Sequence, residues 1–296
     1  MKKMTNKDIQ DVSLEILKDI HEFCEENNIY YILCGGCLIG AIRHNGFIPW
    51  DDDIDLAFPR PDYERFINSY KSKRGYKIFS REIEGGDGVY LAFSRVCDMD
   101  KTYVDASLNP WSQYETGVWI DIMPLEGAYA DEDLERKRWK RANATWRKSV
   151  WYRFSKLDFS RLKELSVVLP KAKWARFSFM DSHLFRFVYI FIKVVFCKFF
   201  FRKGSNYTDF LIKICKECDF NKSDYYTDLA ITHYGMREYN PKSYLGKRIL
   251  FKFEDSQFYV PSGYDGWLRH IYGDYMKLPP KEDQIHKHEV NNYYWK

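Results

Sequence analysis

The sequence predicts an α+β protein: a small mixed β-sheet flanked by helices, interrupted by a basic helical insertion. Two patterns predict the sheet and its helices. Short aromatic and β-branched runs bounded by Gly and Pro recur between residues 30 and 125, and helical periodicity precedes and separates them. The insertion follows from a long Lys/Arg-rich stretch without strand signals, from Asp131 to about Asp219. With 296 residues and 45% apolar content, the chain can bury one elaborated domain or two small ones, which excludes disorder as its main theme. The expected division is a catalytic core over 1–130, the basic aromatic-rich insertion over 131–220, and an α+β part over 221–296 that completes the core.

Residues 5–27 read as an amphipathic helix, with Thr5 and Asp8 as its capping pair and Ile9, Val12, Ile16, Ile20 and Phe23 on one face. Asn27 and Asn28 end it. A short strand over 30–33 runs into Gly35-Gly36, and residues 37–43 form a short helix whose first amides open toward that turn. Pro49 precedes a strand over 53–58, and Pro61 suits the first turn of the next helix. Further strands are expected over 76–80, 90–98 and 118–123, with a turn at Gly85-Gly86.

The first residues carry no apolar stretch of the secretory kind, so the expected location is the cytoplasm. Seven cysteines, an odd number, fit free thiols in a reducing compartment. The pairs Cys34/Cys37 and Cys215/Cys218 have zinc-ligand spacing, but small buried thiols are the simpler reading of the first pair, inside an apolar run. The formal charge of +4 conceals an asymmetry. Residues 136–203 hold nineteen Lys and Arg against Asp158, Glu164 and Asp181, a net +16 that leaves −12 elsewhere. Within that block the run 184–201, LFRFVYIFIKVVFCKFFF, is long enough to raise the question of a membrane span. Its apolar residues favour insertion by roughly 4 to 8 kcal/mol and Lys193 opposes it by about 3. Basic residues interleaved with continuous Phe, Val and Ile favour an anionic membrane surface over nucleic acid, and an interfacial or re-entrant helix over a complete span. A plain buried helix is the competing expectation.

The chemistry concentrates in LCGGCLIGAIRHNGFIPWDDDIDLAFPRPDY, residues 33–63. Gly35 and Gly36 let a phosphate approach the backbone, and the helix that follows points free amides at the anion. Arg43 and His44 are candidates to hold the same phosphates, His44 as a donor when protonated. Alternation along a strand puts Asp51, Asp53 and Asp55 on one face and Asp52 on the other. Carboxylates so placed repel unless a hard cation such as Mg²⁺ or Mn²⁺ sits among them. Asp121, alone in the apolar strand VWIDIMPL, completes a three-carboxylate platform with Asp53 and Asp55.

The run LIGAIRHNGFIPWDDDIDLAFPRPDYERF after the Gly pair, WIDIMPL at 119–125 and FKFEDSQFYVPSGYDGWLRHIYGDYMKLPP at 251–280 closely resemble the LicD family, the LicD, fukutin and fukutin-related group, over most of the chain. The resemblance implies a nucleotidyltransferase-like fold. It also implies transfer of a phospho-alcohol, typically phosphocholine from CDP-choline with release of CMP, to a hydroxyl of a cell-surface glycan or its lipid-linked precursor, such as teichoic acid or lipopolysaccharide. Carried onto this chain, it makes Asp53 and Asp55 metal ligands and Asp51 and Asp121 further ligands or the base. Gly35, Gly36, Arg43, His44 and Arg95 would hold donor phosphates, while Tyr272 and Lys277 belong to the tail signature. Trp50, Trp111, Trp119 and Tyr272 are the aromatic candidates for a quaternary ammonium group. An enzyme of this kind would work at the inner face of the cell membrane, held peripherally by residues 136–203. Two other readings are a nucleotidyltransferase acting on a small molecule and a non-enzymatic membrane-associated scaffold.

Overall fold

The computed structural model describes residues 1–106, 110–157, 183–201, 206–284 and 292–296, with backbone alone for 183–186 and 206. Its first half comprises β1 (Lys2–Lys3), α1 (Asn6–Glu26), β2 (Ile32–Leu33), α2 (Gly35–His44), β3 (Asp55–Pro59), α3 (Arg60–Ser69), β4 (Lys77–Phe79), β5 (Ser94–Asp98), β6 (Thr102–Asp105) and β7 (Val118–Ala128). Then follow α4 (Glu132–Phe154), α5 (His183–Phe200), α6 (Asn206–Cys215), β8 (Tyr225–Thr227), β9 (Asn240–Pro241), β10 (Arg248–Phe253), β11 (Ser256–Pro261), α7 (Tyr264–Tyr272) and β12 (Asn292–Trp295). The expected α+β class holds.

The central sheet runs β2-β3-β7-β5-β4. Its β3 and β7 are parallel and the remaining pairs antiparallel, so the sheet is mixed. The tail joins it: β8 pairs with the C-terminal half of β7, and β9 with β8. Side chains alternate across the sheet. Leu56, Phe58, Ile120 and Ile122 are fully buried in the core that includes the apolar stripe of α1 and Tyr63 and Phe66 of α3. The opposite face presents Asp55, Ala57, Asp121, Met123 and Arg95.

Local signals place the first helices as expected. The Thr5–Asp8 capping box is present, Thr5 N donating to Asp8 Oδ2 (2.7 Å) and Asp8 N to Thr5 Oγ1 (3.2 Å). Pro61 lies in the first turn of α3. The strand expected over 53–58 starts two residues late, because 51–54 form a loop pinned by tertiary contacts. Gln10 Nε2 of α1 donates to Asp51 O (2.8 Å), and Cys37 Sγ bridges Asp53 O (3.3 Å) and Asp55 N (3.4 Å). All seven cysteines are free thiols, six of them buried.

The insertion is anchored by one buried cation. Arg138 of α4 donates to Gly127 O, Ile214 O and Cys215 O and pairs with Glu135, tying the helix to β7 and the end of α6. The middle of the basic block, residues 158–182, lies outside the described residues. Of α5, Ile190, Val194 and Cys197 are buried at helical spacing and Lys193 sits 4.0 Å over the Phe154 ring of α4. Its outer face is open, with Ile192 at 61% and Phe199 at 81% exposed. No described helix is long and apolar enough to cross a membrane.

Arg60 at the start of α3 locks the sheet from beneath. Its guanidinium pairs with the fully buried Glu126 of β7 and with Glu82 (3.0 Å). Removing one partner leaves an uncompensated buried charge. Glu126→Ala is therefore expected to lower unfolding free energy by about 3–5 kcal/mol in denaturant titration; a loss of about half a kcal/mol, as for a surface pair, would contradict this role.

Candidate active site

Parallel pairing in register sets Asp55 of β3 directly beside Asp121 of β7, and antiparallel pairing sets Arg95 of β5 beside Asp121 on its other side. Three charged residues therefore form one row across three strands. Arg95 Nε donates to Asp121 Oδ1 (2.5 Å) and its NH2 to Oδ2 (3.3 Å). The guanidinium lies over Trp119 (4.2 Å) and Trp111 (4.5 Å). This engagement accounts for three residues. Arg95 orients Asp121 instead of presenting a free fork to a phosphate, and Trp111 and Trp119 stack on Arg95 instead of lining an ammonium cage.

Ahead of β3, Asp51, Asp52 and Asp53 each offer a carboxylate oxygen within 4.8 Å of the others. The expectation that Asp52 faces away fails, because strand alternation does not apply to a loop; it joins the cluster. Burial, and then the charges of Asp53, Asp121 and Asp51, push the Asp55 carboxyl well above the usual range. Clustered hard oxygens under mutual repulsion are a donor set suited to Mg²⁺ or Mn²⁺.

Both glycines are required by these acids. Gly35 has φ of +55°, and a Cβ there would lie 3.2 Å from Asp55 Oδ2; one on Gly36 would lie 2.3 Å from Asp51 Oδ2. The N-terminus of α2 is thus packed directly against the carboxylates.

Arg43, His44, Trp50 and Lys277 form a separate group. Arg43 NH1 donates to Tyr275 O (2.5 Å) and Lys277 O (3.5 Å), so it braces the tail after α7. Its Nε donates to His44 Nε2 (2.8 Å), and burial and then Arg43 hold the His44 pKa down. His44 therefore accepts here, a correction to its expected role as a protonated donor. Trp50 meets His44 edge-on at 6.3 Å.

Two cavities open on the acid-bearing face, and Ile231 lines both. The larger, of about 270 Å³, is lined by Asp52, Asp53, Asp121 and Arg95 together with Trp146, Arg153 and His233. Arg153 comes from α4, and burial and then Arg95 hold its pKa down to about 10. Among the described residues its guanidinium has no carboxylate partner. Sequence reading missed Arg153 and His233, since nothing local marks one basic residue among nineteen. The smaller cavity, of about 90 Å³, lies over Gly35, Asp55 and Tyr272 and includes Asp228 and Glu238.

A model of the LicD/FKTN/FKRP nucleotidyltransferase domain matches residues 28–163, which take in the glycine pair, every acid of the cluster, Asp121 and α4. A lipopolysaccharide cholinephosphotransferase LicD of Haemophilus influenzae is 32% identical over 297 residues, 99% of each chain. This chain belongs to the LicD family. Uncharacterised proteins of Rickettsia typhi and Rickettsia prowazekii share shorter segments, 38% identical over 72 residues and 46% over 74, which span 23% and 28% of their own lengths. The LicD resemblance read from the sequence motifs is thereby confirmed, while the roles of individual residues rest on the geometry above.

The acids of the smaller cavity make folding sensitive to pH. Burial and then Asp228 raise the Glu238 pKa to about 8, opposed by Arg237, and burial raises that of Asp228 to about 7. Between the ordinary carboxylate range and these values the folded state binds more protons than the unfolded state, so stability falls as pH rises. Chemical denaturation at pH 5, 6.5 and 8 is expected to show this decline, with Glu238→Gln flattening it; parallel profiles would contradict it.

Proposed function

We propose that the protein transfers phosphocholine from CDP-choline to a hydroxyl of a lipopolysaccharide-type glycan or its lipid-linked precursor, releasing CMP. The observation that carries this is the row of Asp55 and Asp121 beside Asp51–Asp53, against the N-terminus of α2, in a chain alignable end to end with a cholinephosphotransferase. A teichoic acid is the other acceptor of this kind, and no residue of the site favours it. Asp53, Asp55 and Asp121 would hold Mg²⁺ or Mn²⁺, with Asp51 and Asp52 at hand. A bound divalent cation supplies charge neutralisation for the pyrophosphate.

The remaining work falls to the chain's own groups. The Gly35 and Gly36 backbone receives the donor phosphates at the helix N-terminus. Arg153 and His233, which line the same cavity as the acids, neutralise phosphate charge. Arg95 fixes the Asp121 carboxylate. The acceptor oxygen attacks the choline-bearing phosphorus, the bond from that phosphorus to the CMP oxygen breaks, and CMP leaves with its electron pair. The hydroxyl proton passes to Asp51, since Asp121 is engaged by Arg95. Catalysis of this kind depends on positioning and electrostatics in place of covalent chemistry. Nucleotidyl transfer to a small molecule would use the same carboxylates but leave pyrophosphate and a nucleotidylated acceptor. A scaffold without chemistry leaves the acid cluster without a purpose.

The location proposed is the inner face of the cell membrane. The outer face of α5 exposes Val188, Ile192, Val195, Phe196 and Phe199, and α4 beside it exposes Lys140, Arg147 and Lys148. Apolar side chains with flanking cations suit the anionic headgroup region.

Two experiments test these readings. Purified protein with Mg²⁺ and an acceptor glycan is expected to release CMP from CDP-choline, with turnover abolished by Asp53→Ala and lowered about 10²-fold by Arg153→Ala. CMP release from no CDP-alcohol, or an Asp53→Ala enzyme equal to wild type, would refute the activity. Sedimentation with anionic vesicles is expected to weaken with salt and with Phe199→Glu; salt-independent binding would contradict the interfacial mode.

A further inference from the structure

The smaller cavity has walls unlike those of a phosphate site. Its floor is apolar: Ala57 and Met123 of the central strands, with Ile231 and Ile271. Aromatic groups close it: Trp267 and Tyr272 of α7, and Tyr234, whose ring meets that of Tyr272 edge-on at 5.3 Å. Into this apolar and aromatic space the chain places two carboxylates, Asp228 and Glu238. Asp228 Oδ1 accepts from Ala230 N (2.9 Å) and Ile231 N (3.4 Å). Glu238 is only 9% exposed, yet among the described residues its carboxylate takes part in no hydrogen bond or ion pair. The adjacent Arg237 does not pair with it, its guanidinium donating to Ile271 O (2.9 Å) and Tyr234 O (3.4 Å).

Isolated carboxylates in low-polarity surroundings are costly unless paired. Asp228 and Glu238 could be satisfied by donors or by a cation. A polyol or primary ammonium could bond the carboxyls but would leave its remaining donors against Ala57, Met123, Ile231 and Ile271. A quaternary ammonium has no N–H to satisfy. It presents methyl groups to apolar walls and spreads its charge over aromatic faces and nearby carboxylates. The volume, about 90 Å³, is several times the ~10–15 Å³ that a single water requires. Position agrees with chemistry: Asp55 and Gly35 line the same cavity, and Tyr272 Oη lies 4.0 Å from where a Gly35 side chain would begin. A phosphate held at the α2 N-terminus would therefore adjoin this cavity.

We propose that the cavity formed by Asp228, Glu238, Tyr234, Trp267 and Tyr272 is the subsite for the trimethylammonium head of the transferred group, and that it selects choline over neutral alcohols. This deepens the phosphocholine reading and rests on it. Burial keeps Asp228 and Glu238 largely protonated while the cavity is empty; a cation entering favours their ionised forms, which then supply the counter-charge. Tyr234 forms the rim, and Trp267 and Tyr272 the inner wall. Tyr234, 38% exposed, can be altered with little effect on folding.

The test compares wild type, Glu238→Gln and Tyr234→Leu with CDP-choline and CDP-glycerol as donors, alongside NMR titration with tetramethylammonium, which needs no turnover. Both variants are expected to raise the ratio of KM for CDP-choline to KM for CDP-glycerol about tenfold, and to weaken tetramethylammonium binding by a similar factor. Wild type that turns over CDP-choline while both variants keep its ratio and its tetramethylammonium affinity would overturn the subsite and leave the activity standing. A uniform loss with both donors would assign the pocket to a neutral part of the donor, and also overturn it. Wild type that binds tetramethylammonium at this pocket but uses no CDP-alcohol would sink the activity alone.

Discussion

Repulsion among carboxylates is the constraint on which the rest of this molecule depends. Two unit charges 4 Å apart repel by about 4 kcal/mol at an effective dielectric near 20, and here Asp51, Asp52 and Asp53 bring oxygens within 4.8 Å of one another next to Asp55, with Asp121 on the neighbouring strand. The fold holds them there by several means at once. In-register pairing fixes Asp55 beside Asp121. Arg95, itself held between Trp111 and Trp119, draws off part of the charge of Asp121. Gln10 and the Cys37 thiol pin the loop that carries Asp51–Asp53, while Gly35 and Gly36 leave room for the carboxylates. A site that costs this much to assemble is expected to recover the cost when a cation binds.

Much of this was legible in the sequence because it is local. The capping box of α1, the glycine pair before α2, Pro61 in α3 and the isolated Asp121 each announce themselves within a few residues. Asp52 was misread for a local reason as well: alternation was extended from the strand at Asp55 back to Asp51, through a loop pinned at Asp51 by Gln10, forty-one positions away. Arg95 and Arg43 were read as phosphate ligands because a basic residue near a motif is ambiguous until its partner is known, and their partners are Asp121 and the backbone of the tail. Arg153, His233, Asp228 and Glu238 carried no signal at all. They reach the site from α4 and from the segment around β8 and β9, and only the chain's return to β7 brings them there.

The two cavities divide the face of the sheet according to the chemistry each can host. One sets acids against Arg153 and His233 and suits phosphates; the other sets acids against aromatic rings and suits a methylated cation. Asp55 and Asp121 stand where they meet. Since α4 contributes both Arg153 to the cleft and the packing surface for α5, the exposed apolar helix and the catalytic face are linked through one rigid element. If α5 lies in the headgroup region as proposed, an acceptor anchored in lipid would be presented directly to this cleft.

The central claim is that the loop acids Asp51–Asp53, with Asp55 and Asp121 paired by strand register, form a divalent-cation site. Mn²⁺ binding followed by electron paramagnetic resonance, in wild type and in Asp53→Asn, Asp121→Asn and Arg95→Leu, tests it without reference to turnover. The account predicts saturable binding in wild type, loss of at least tenfold in affinity for each aspartate variant, and a smaller loss for Arg95→Leu, which frees Asp121 without removing an oxygen ligand. Equal Mn²⁺ binding by wild type and the Asp53→Asn and Asp121→Asn variants, or none by wild type, would contradict it.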